Sequence, residues 1–192
     1  MFTVTFVCTG NRCRSALAQS LLADKAAALP VRASSCGTLD IEGASSPRDT
    51  VAAAKAIGLD LSQHRSRHFL GCDLASQDLV LGFEFEHVAR AVIEGGAQQE
   101  KSFLLPELLR LLGEADVPSL ADPVERARSM VAAADAARSS ARRFVPGEEI
   151  PDPIGRPFEV HLDTARTLAE LCDRLVSALF PAAGIRLAPT RA

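Results

Sequence analysis

The chain has 192 residues, 47% of them hydrophobic and 23% charged, with a net charge of −3. That size and composition suit a single folded domain with a proper core, and the mild acidity argues against a nucleic-acid binder. No apolar run reaches the length of a membrane span, the N-terminus lacks a basic segment followed by an apolar one, and five cysteines are an odd number for a disulfide framework, so a cytoplasmic protein with no membrane attachment is expected.

In chain order, Phe2 to Val7 alternates Phe, Thr, Val, Thr, Phe, Val and predicts a strand. Leu17, Leu21 and Leu22 begin the apolar face of a helix over about 14–29, followed by a strand at about 31–35 and a helix at about 47–57. A short strand near Ser66 to Phe69, a strand at Leu79 to Gly82 and a helix from about Glu84 to Glu94 continue the alternation. Leu104 to Leu112 and the alanine- and arginine-rich stretch Pro123 to Arg143 read as helices by periodicity. The last helix, from about Phe158 to Phe180, sets Leu168, Leu171, Leu175 and Leu179 in one stripe with Cys172 and Val176 beside it. Pro181 stops it, and 182–192 reads as a flexible tail. The pattern predicts an α/β fold, a three-layer doubly wound sheet of about four parallel strands with helices on both faces, which binds ligands beyond the strands' C-terminal ends.

Cys8 stands at the end of the first strand, and the loop Thr9-Gly10-Asn11-Arg12-Cys13 leads to Arg14 and Ser15 at the start of a helix. A thiolate needs positive charge nearby, which a helix N-terminus and an arginine supply. Backbone N–H groups of residues 9 to 14 can point at one phosphate, Gly10 permits an unusual backbone conformation, Arg14 can hold two phosphate oxygens, and Ser15 can donate to the Cys8 sulfur. The bare Cys-x5-Arg spacing arises by chance at about even odds in a chain with this many cysteines and arginines. Its weight comes from Gly10, Asn11 and Ser15, with a strand before them and a helix after. The plainer reading, a buried strand-end cysteine with a surface arginine, leaves those residues unexplained.

Val7-Cys8-Thr9-Gly10-Asn11-Arg12-Cys13-Arg14-Ser15 resembles the signature loop of the low-molecular-weight protein tyrosine phosphatases. Ser35-Cys36-Gly37-Thr38, then Gly58-Leu59-Asp60 with His64 and Ser66-Arg67, then Asp78-Leu79-Val80-Leu81 resemble further family segments, the last of them the family's strand four. Pro151-Asp152-Pro153-Ile154-Gly155 resembles the loop that carries the general acid, so the similarity covers about 2–104 and 150–180. It implies one phosphatase-like domain over 1–181 with a helical insert at about 104–148, a region that is usually shorter in the family. This insert would bring Arg138, Arg142 and Arg143 to the mouth of the site, or simply form a solvated helix face.

The resemblance implies a cysteine-dependent phosphomonoester hydrolase acting on a phosphorylated protein or a small aryl phosphate. Cys8 would attack phosphorus to give a phosphocysteine, and Arg14 with the loop N–H groups would stabilise the transferring phosphoryl. Asp152 would protonate the leaving group and then activate water. Thr9, Gly10, Asn11, Arg12, Cys13 and Ser15 would bind the phosphate, inorganic phosphate or sulfate would occupy the same loop, and no metal or other cofactor is called for. Asp122-Pro123 is a second Asp-Pro pair, but Asp122 reads as a helix N-cap with Pro123 at the first helical position, and Gly155 and Phe158 favour Asp152. Cys13 implies, through the family, a protective disulfide with an oxidised Cys8.

Cys36, where the family often has alanine, reads as core, and Cys72 and Cys172 as core or surface without an assignable partner. The four histidines, His64, His68, His87 and His161, show no ligand spacing and read as surface or capping residues. Ala16 replaces a common proline, Phe83 a frequent methionine and Ile154 an aromatic residue of the substrate slot, so aryl preference would be weaker or come from a residue such as Leu39. With no tyrosine, the chain has no tyrosine phosphorylation of its own. Two alternatives stand beside this reading: an arsenate reductase of the same fold, for which no cysteine lies between Cys72 and Cys172, and a non-catalytic phosphate-binding signalling module.

Overall fold

Alternation in the first strand divides the molecule into two faces. Phe2, Val4, Phe6 and Cys8 of β1 (Phe2–Cys8) belong to the larger apolar cluster, whereas Val7 joins a smaller one with Cys36, Phe69, Leu74, Val80 and Ala91. The structure, a computed structural model, describes residues 1–116, 120–139, 145 and 147–181. β1 is followed by α1 (Arg14–Lys25), β2 (Val31–Gly37), α2 (Arg48–Ala56), β3 (Leu79–Gly82), α3 (Phe85–Ile93) and β4 (Ser102–Leu104), then by α4 (Leu105–Glu114), α5 (Pro123–Ser139) and α6 (Phe158–Leu179). The four strands are parallel in the order β2-β1-β3-β4. Among the described residues no helix is long and apolar enough to cross a membrane.

The larger cluster is built from α1, α4, α5 and α6, with Leu168, Leu171, Cys172, Leu175 and Leu179 of α6 buried. The helix α3 covers the smaller cluster on the other face. Because β2 lies on one side of β1 and β3 on the other, the chain reverses its winding at β1, and the loop after Cys8 opens at that switch point.

Several elements differ from the sequence expectation. β4 has only three residues, too few for a readable alternation, and was not anticipated. The strand expected near Ser66 to Phe69 is reduced to isolated bridges, Gly37 with His68 and Ser45 with Arg65, followed by a single 3-10 turn at Phe69–Gly71. The segment likened to the family's strand four is therefore the third strand here. Arg138 does not reach the active-site mouth: it stacks over Phe103 at 4.1 Å and donates to the Ser102 and Gln99 carbonyls at the β4 edge. Arg142, Arg143 and the tail 182–192 lie outside the described residues.

Candidate active site

Asn11 sits at φ 50°, the left-handed turn that lets the chain double back above Cys8. Its own backbone N–H donates to Cys8 Sγ at 3.2 Å, and the Ser15 hydroxyl lies 3.0 Å from the same sulfur. The Asn11 side chain fixes the turn by donating to Ser15 Oγ (2.9 Å) and Ser35 Oγ (2.8 Å) and accepting from the Arg67 N–H (2.9 Å). His64 Nε2 lies 2.6 Å from the Asn11 carbonyl, and burial pushes the imidazole below its ordinary range, so it donates as a neutral ring.

Gly37 closes the floor. A Cβ there would come within 2.8 Å of the Thr9 carbonyl and the Asn11 nitrogen, so the end of β2 can abut the loop only as glycine. Gly10 lies beneath Ile41, whose Cδ1 would be 3.3 Å from an added Cβ. Arg12 donates to the Ser45 carbonyl at 2.7 Å along the rim. The first-turn N–H groups of α1 have no intrahelical acceptor and face the same loop.

Arg14 is 1% exposed, and protein groups hold both terminal nitrogens of its guanidinium. Nη1 donates to the Ile150 carbonyl (2.8 Å) and pairs with Glu84 Oε2 (2.8 Å), while Nη2 reaches Asp152 Oδ2 (3.0 Å) and Thr9 Oγ1 (3.4 Å). Nε is buried with no partner. A buried, unpaired guanidinium N–H costs about 1–3 kcal/mol or more, which an anion in the loop would relieve.

Asp152 is thus brought to the loop through Arg14, and its Oδ1 also accepts from the Ile154 N–H at 3.1 Å. Ile150 is held at both ends of its peptide unit, its N–H donating to the Phe83 carbonyl at 2.8 Å and its carbonyl accepting from Arg14. Asp122 instead accepts from the Val124 and Glu125 N–H groups and caps α5. Ile154 and Leu39 are exposed.

Two residues of the site were not singled out beforehand. Glu84 anchors Arg14, and His87 lies beneath it. His87 Nδ1 accepts from the Glu84 N–H (3.0 Å), so the proton sits on Nε2, 3.0 Å from Thr9 Oγ1 and 3.3 Å from Glu84 Oε2. Burial, then Arg14 and Arg90, push His87 down to about 3, so Glu84 Oε2 lies against the N–H of a neutral ring and the contact is not an ion pair. The available signal was position: both residues follow β3, whose C-terminal end adjoins that of β1.

His87 thus caps the start of α3, one of the two places expected of the histidines, but the histidines are not all at the surface. His87 and His161 are buried, His161 with Nδ1 3.0 Å from Thr50 Oγ1 and 4.0 Å from Cys13 Sγ. Burial pushes the Cys13 thiol up to about 12. Cys72, for which the sequence offers no assignable partner, donates to the His68 carbonyl at 3.6 Å and packs half-buried against the apolar cluster that holds Cys36.

The model of the family described as low molecular weight phosphotyrosine protein phosphatase matches residues 3–144, ending short of Asp152. The probable low molecular weight protein-tyrosine-phosphatase EpsP of Ralstonia nicotianae is 30% identical over 128 residues, 65% of this chain and 79% of that protein. The crystal structure of a low molecular weight protein tyrosine phosphatase from T. tengcongensis superposes with a TM-score of 0.67 at 28% identity, covering 92% of this chain and 99% of that one. The tyrosine phosphatase Wzb from Escherichia coli K30, solved with sulphate, shares the fold with a TM-score of 0.63 at 21% identity over 91% of this chain and 96% of its own.

Proposed function

The chain belongs to the low molecular weight phosphotyrosine protein phosphatase family, whose members are hydrolases, and from that membership we propose that it cleaves phosphomonoesters through a phosphocysteine on Cys8. The single observation that carries the reading is the convergence on Arg14, whose Nη2 lies 3.0 Å from Asp152 while its buried Nε has no partner beside the Cys8 loop. A phosphoryl group held by the loop N–H groups would take up that unpaired Nε–H.

Cys8 Sγ attacks phosphorus in line as the bond to the leaving oxygen breaks, and Asp152 gives that oxygen its proton. Charge on the equatorial oxygens is stabilised by Arg14 and the loop amides, where most of the catalysis of phosphoryl transfer arises. In the second half Asp152 takes a proton from water as the water attacks phosphorus, and the S–P bond breaks to return the thiolate, supported by the Ser15 hydroxyl and the Asn11 N–H. Thr9, Gly10, Arg12 and Cys13 complete the cradle. The substrates proposed are phosphoproteins and small aryl phosphates, with Leu39 and Ile154 supplying aliphatic contact at the rim.

The test is hydrolysis of p-nitrophenyl phosphate by wild type, Cys8→Ser, Asp152→Ala and Asp122→Ala, with acid-quench mass spectrometry for phosphorylated Met1–Arg12. Wild-type and Asp122→Ala turnover, loss in Cys8→Ser and a slowed Asp152→Ala are expected. Hydrolysis surviving in Cys8→Ser would refute the covalent route, and a crippled Asp122→Ala beside an unaffected Asp152→Ala would move the acid.

A further inference from the structure

A second thiol pair lies behind the phosphate loop. Cys36 stands opposite Val7 in the β1–β2 register, so its side chain shares the face of Val7 and Phe69, while Cys8 points into the other cluster. Cys72 follows the single turn Phe69–Gly71 and packs against the Cys36 cluster half-buried. The Cys72 thiol donates to the His68 carbonyl at 3.6 Å, and His68 pairs with Gly37, the residue after Cys36, so both thiols lie in one apolar cluster at the same strand end. From this juxtaposition we propose that Cys36 and Cys72 are a peroxide-reactive dithiol, a site of reversible oxidation separate from Cys8 and Cys13.

The environment divides the labour between the two sulfurs. Cys36 is fully buried, and its neighbour Cys72 and burial push its thiol up, so it keeps its proton. Cys72 is only half-buried, and Cys36 together with Arg67 pushes its thiol down against burial and Glu42. A peroxide can reach Cys72 and not Cys36, which makes Cys72 the attacking thiolate and Cys36 the resolving thiol.

In the first step Cys72 attacks one oxygen of a hydroperoxide, the O–O bond breaks, and the departing oxygen takes a proton from solvent, leaving a sulfenic acid on Cys72. Cys36 then attacks that sulfur, the S–S bond forms, the S–O bond breaks, and hydroxide leaves with the Cys36 proton as water. Two electrons pass from the dithiol to the peroxide. The link would tie the end of β2, one residue before Gly37, to the segment beyond Arg67, and so enclose Leu39, His64 and Arg67 in one covalent ring. His64 and Arg67 are the residues that hold Asn11. Because the pair lies on the opposite face of the sheet, its oxidation leaves the nucleophile chemically untouched.

The wild-type chain is titrated with hydrogen peroxide at neutral pH, blocked with an alkylating reagent, digested with trypsin without reduction and read by mass spectrometry. The peptides are distinct: Ala33–Arg48 holds Cys36, His68–Arg90 holds Cys72, Met1–Arg12 holds Cys8 and Thr167–Arg174 holds Cys172. Ala33–Arg48 joined to His68–Arg90 should appear near stoichiometric peroxide, while Cys172, buried and pushed up to about 12, stays reduced. In Cys36→Ala the link should vanish and a dimedone adduct should form on Cys72. The same link in Cys8→Ser would separate this site from the catalytic cysteine. Cys36 and Cys72 both recovered alkylated after Cys172 has oxidised, or either joined to Met1–Arg12 or to a second chain, would overturn the proposal.

Discussion

The Cys8 loop and the Asp152 loop serve one site but are built in opposite ways. Around Cys8 the chain folds on itself within a few residues, and Ser15, Ser35, His64 and Arg67 hold the Asn11 turn with short contacts. Asp152 is about a third exposed and, among the described residues, meets that assembly through Arg14, while its other oxygen caps the Ile154 N–H. The proposed nucleophile is pre-organised by its own neighbours, whereas the proposed acid depends on a side chain from the other loop. Loss on the Cys8 side should therefore abolish catalysis irrespective of substrate, and loss on the Asp152 side should depend on the leaving group.

Arg14→Lys tests the shared element and carries the largest expected effect. A lysine keeps the charge but cannot hold Ile150, Glu84 and a phosphoryl group together, so kcat should fall by about 10³-fold with aryl phosphates of every leaving-group pKa. An equal loss from Asp152→Asn would erase the distinction between the two loops. Instead, Asp152→Asn should cost about 10²-fold with phenyl phosphate and about tenfold with p-nitrophenyl phosphate, whose leaving oxygen needs less protonation.

Glu84 and His87 brace Arg14 and Thr9 from beneath, which makes the loop's stability sensitive to acid. His87 is pushed down to about 3 in the fold from an ordinary value of 6.5, so the unfolded chain binds the extra proton between those limits. Its contribution is fully present above about 6.5 and is lost as pH falls toward 3, at most about 1.4 kcal/mol per pH unit. Urea unfolding between pH 7 and 4 should show a shallower loss of stability in His87→Gln than in wild type, and parallel curves would remove His87 from this role. The smallest effect belongs to the rim. Ile154→Phe should favour aryl over alkyl phosphates by about two- to tenfold in kcat/KM, the worth of one aromatic contact.

The contrast between the loops also explains what could be read from the sequence. The local geometry of the Cys8 loop was legible because Cys8, Asn11, Arg14 and Ser15 fall within one strand, one turn and one helix N-terminus. Glu84 and His87 were missed because their place beside Cys8 depends on β3 pairing with β1, a neighbour relation set by topology and not by spacing. Arg138 was misplaced for a similar reason, since the direction in which α5 returns along the β4 edge is fixed by Phe103 and the Ser102 carbonyl. The contact of Cys36 with Cys72 joins a strand interior to a turn after an irregular segment, and no local pattern announces it. The long α6 was visible in its leucine stripe because burial of one helical face leaves a period that survives any rearrangement of loops.

Ile150 is gripped by Phe83 on one side and Arg14 on the other, so the acid loop begins from a fixed point however the chain arrives there. The faces of α4 and α5 turned to the core are fixed, because they build the larger cluster, but their outward positions can change without moving that anchor. A lineage, or a protein engineer, could therefore resurface those helices for other recognition partners while the short span from Ile150 to Asp152 stays as it is.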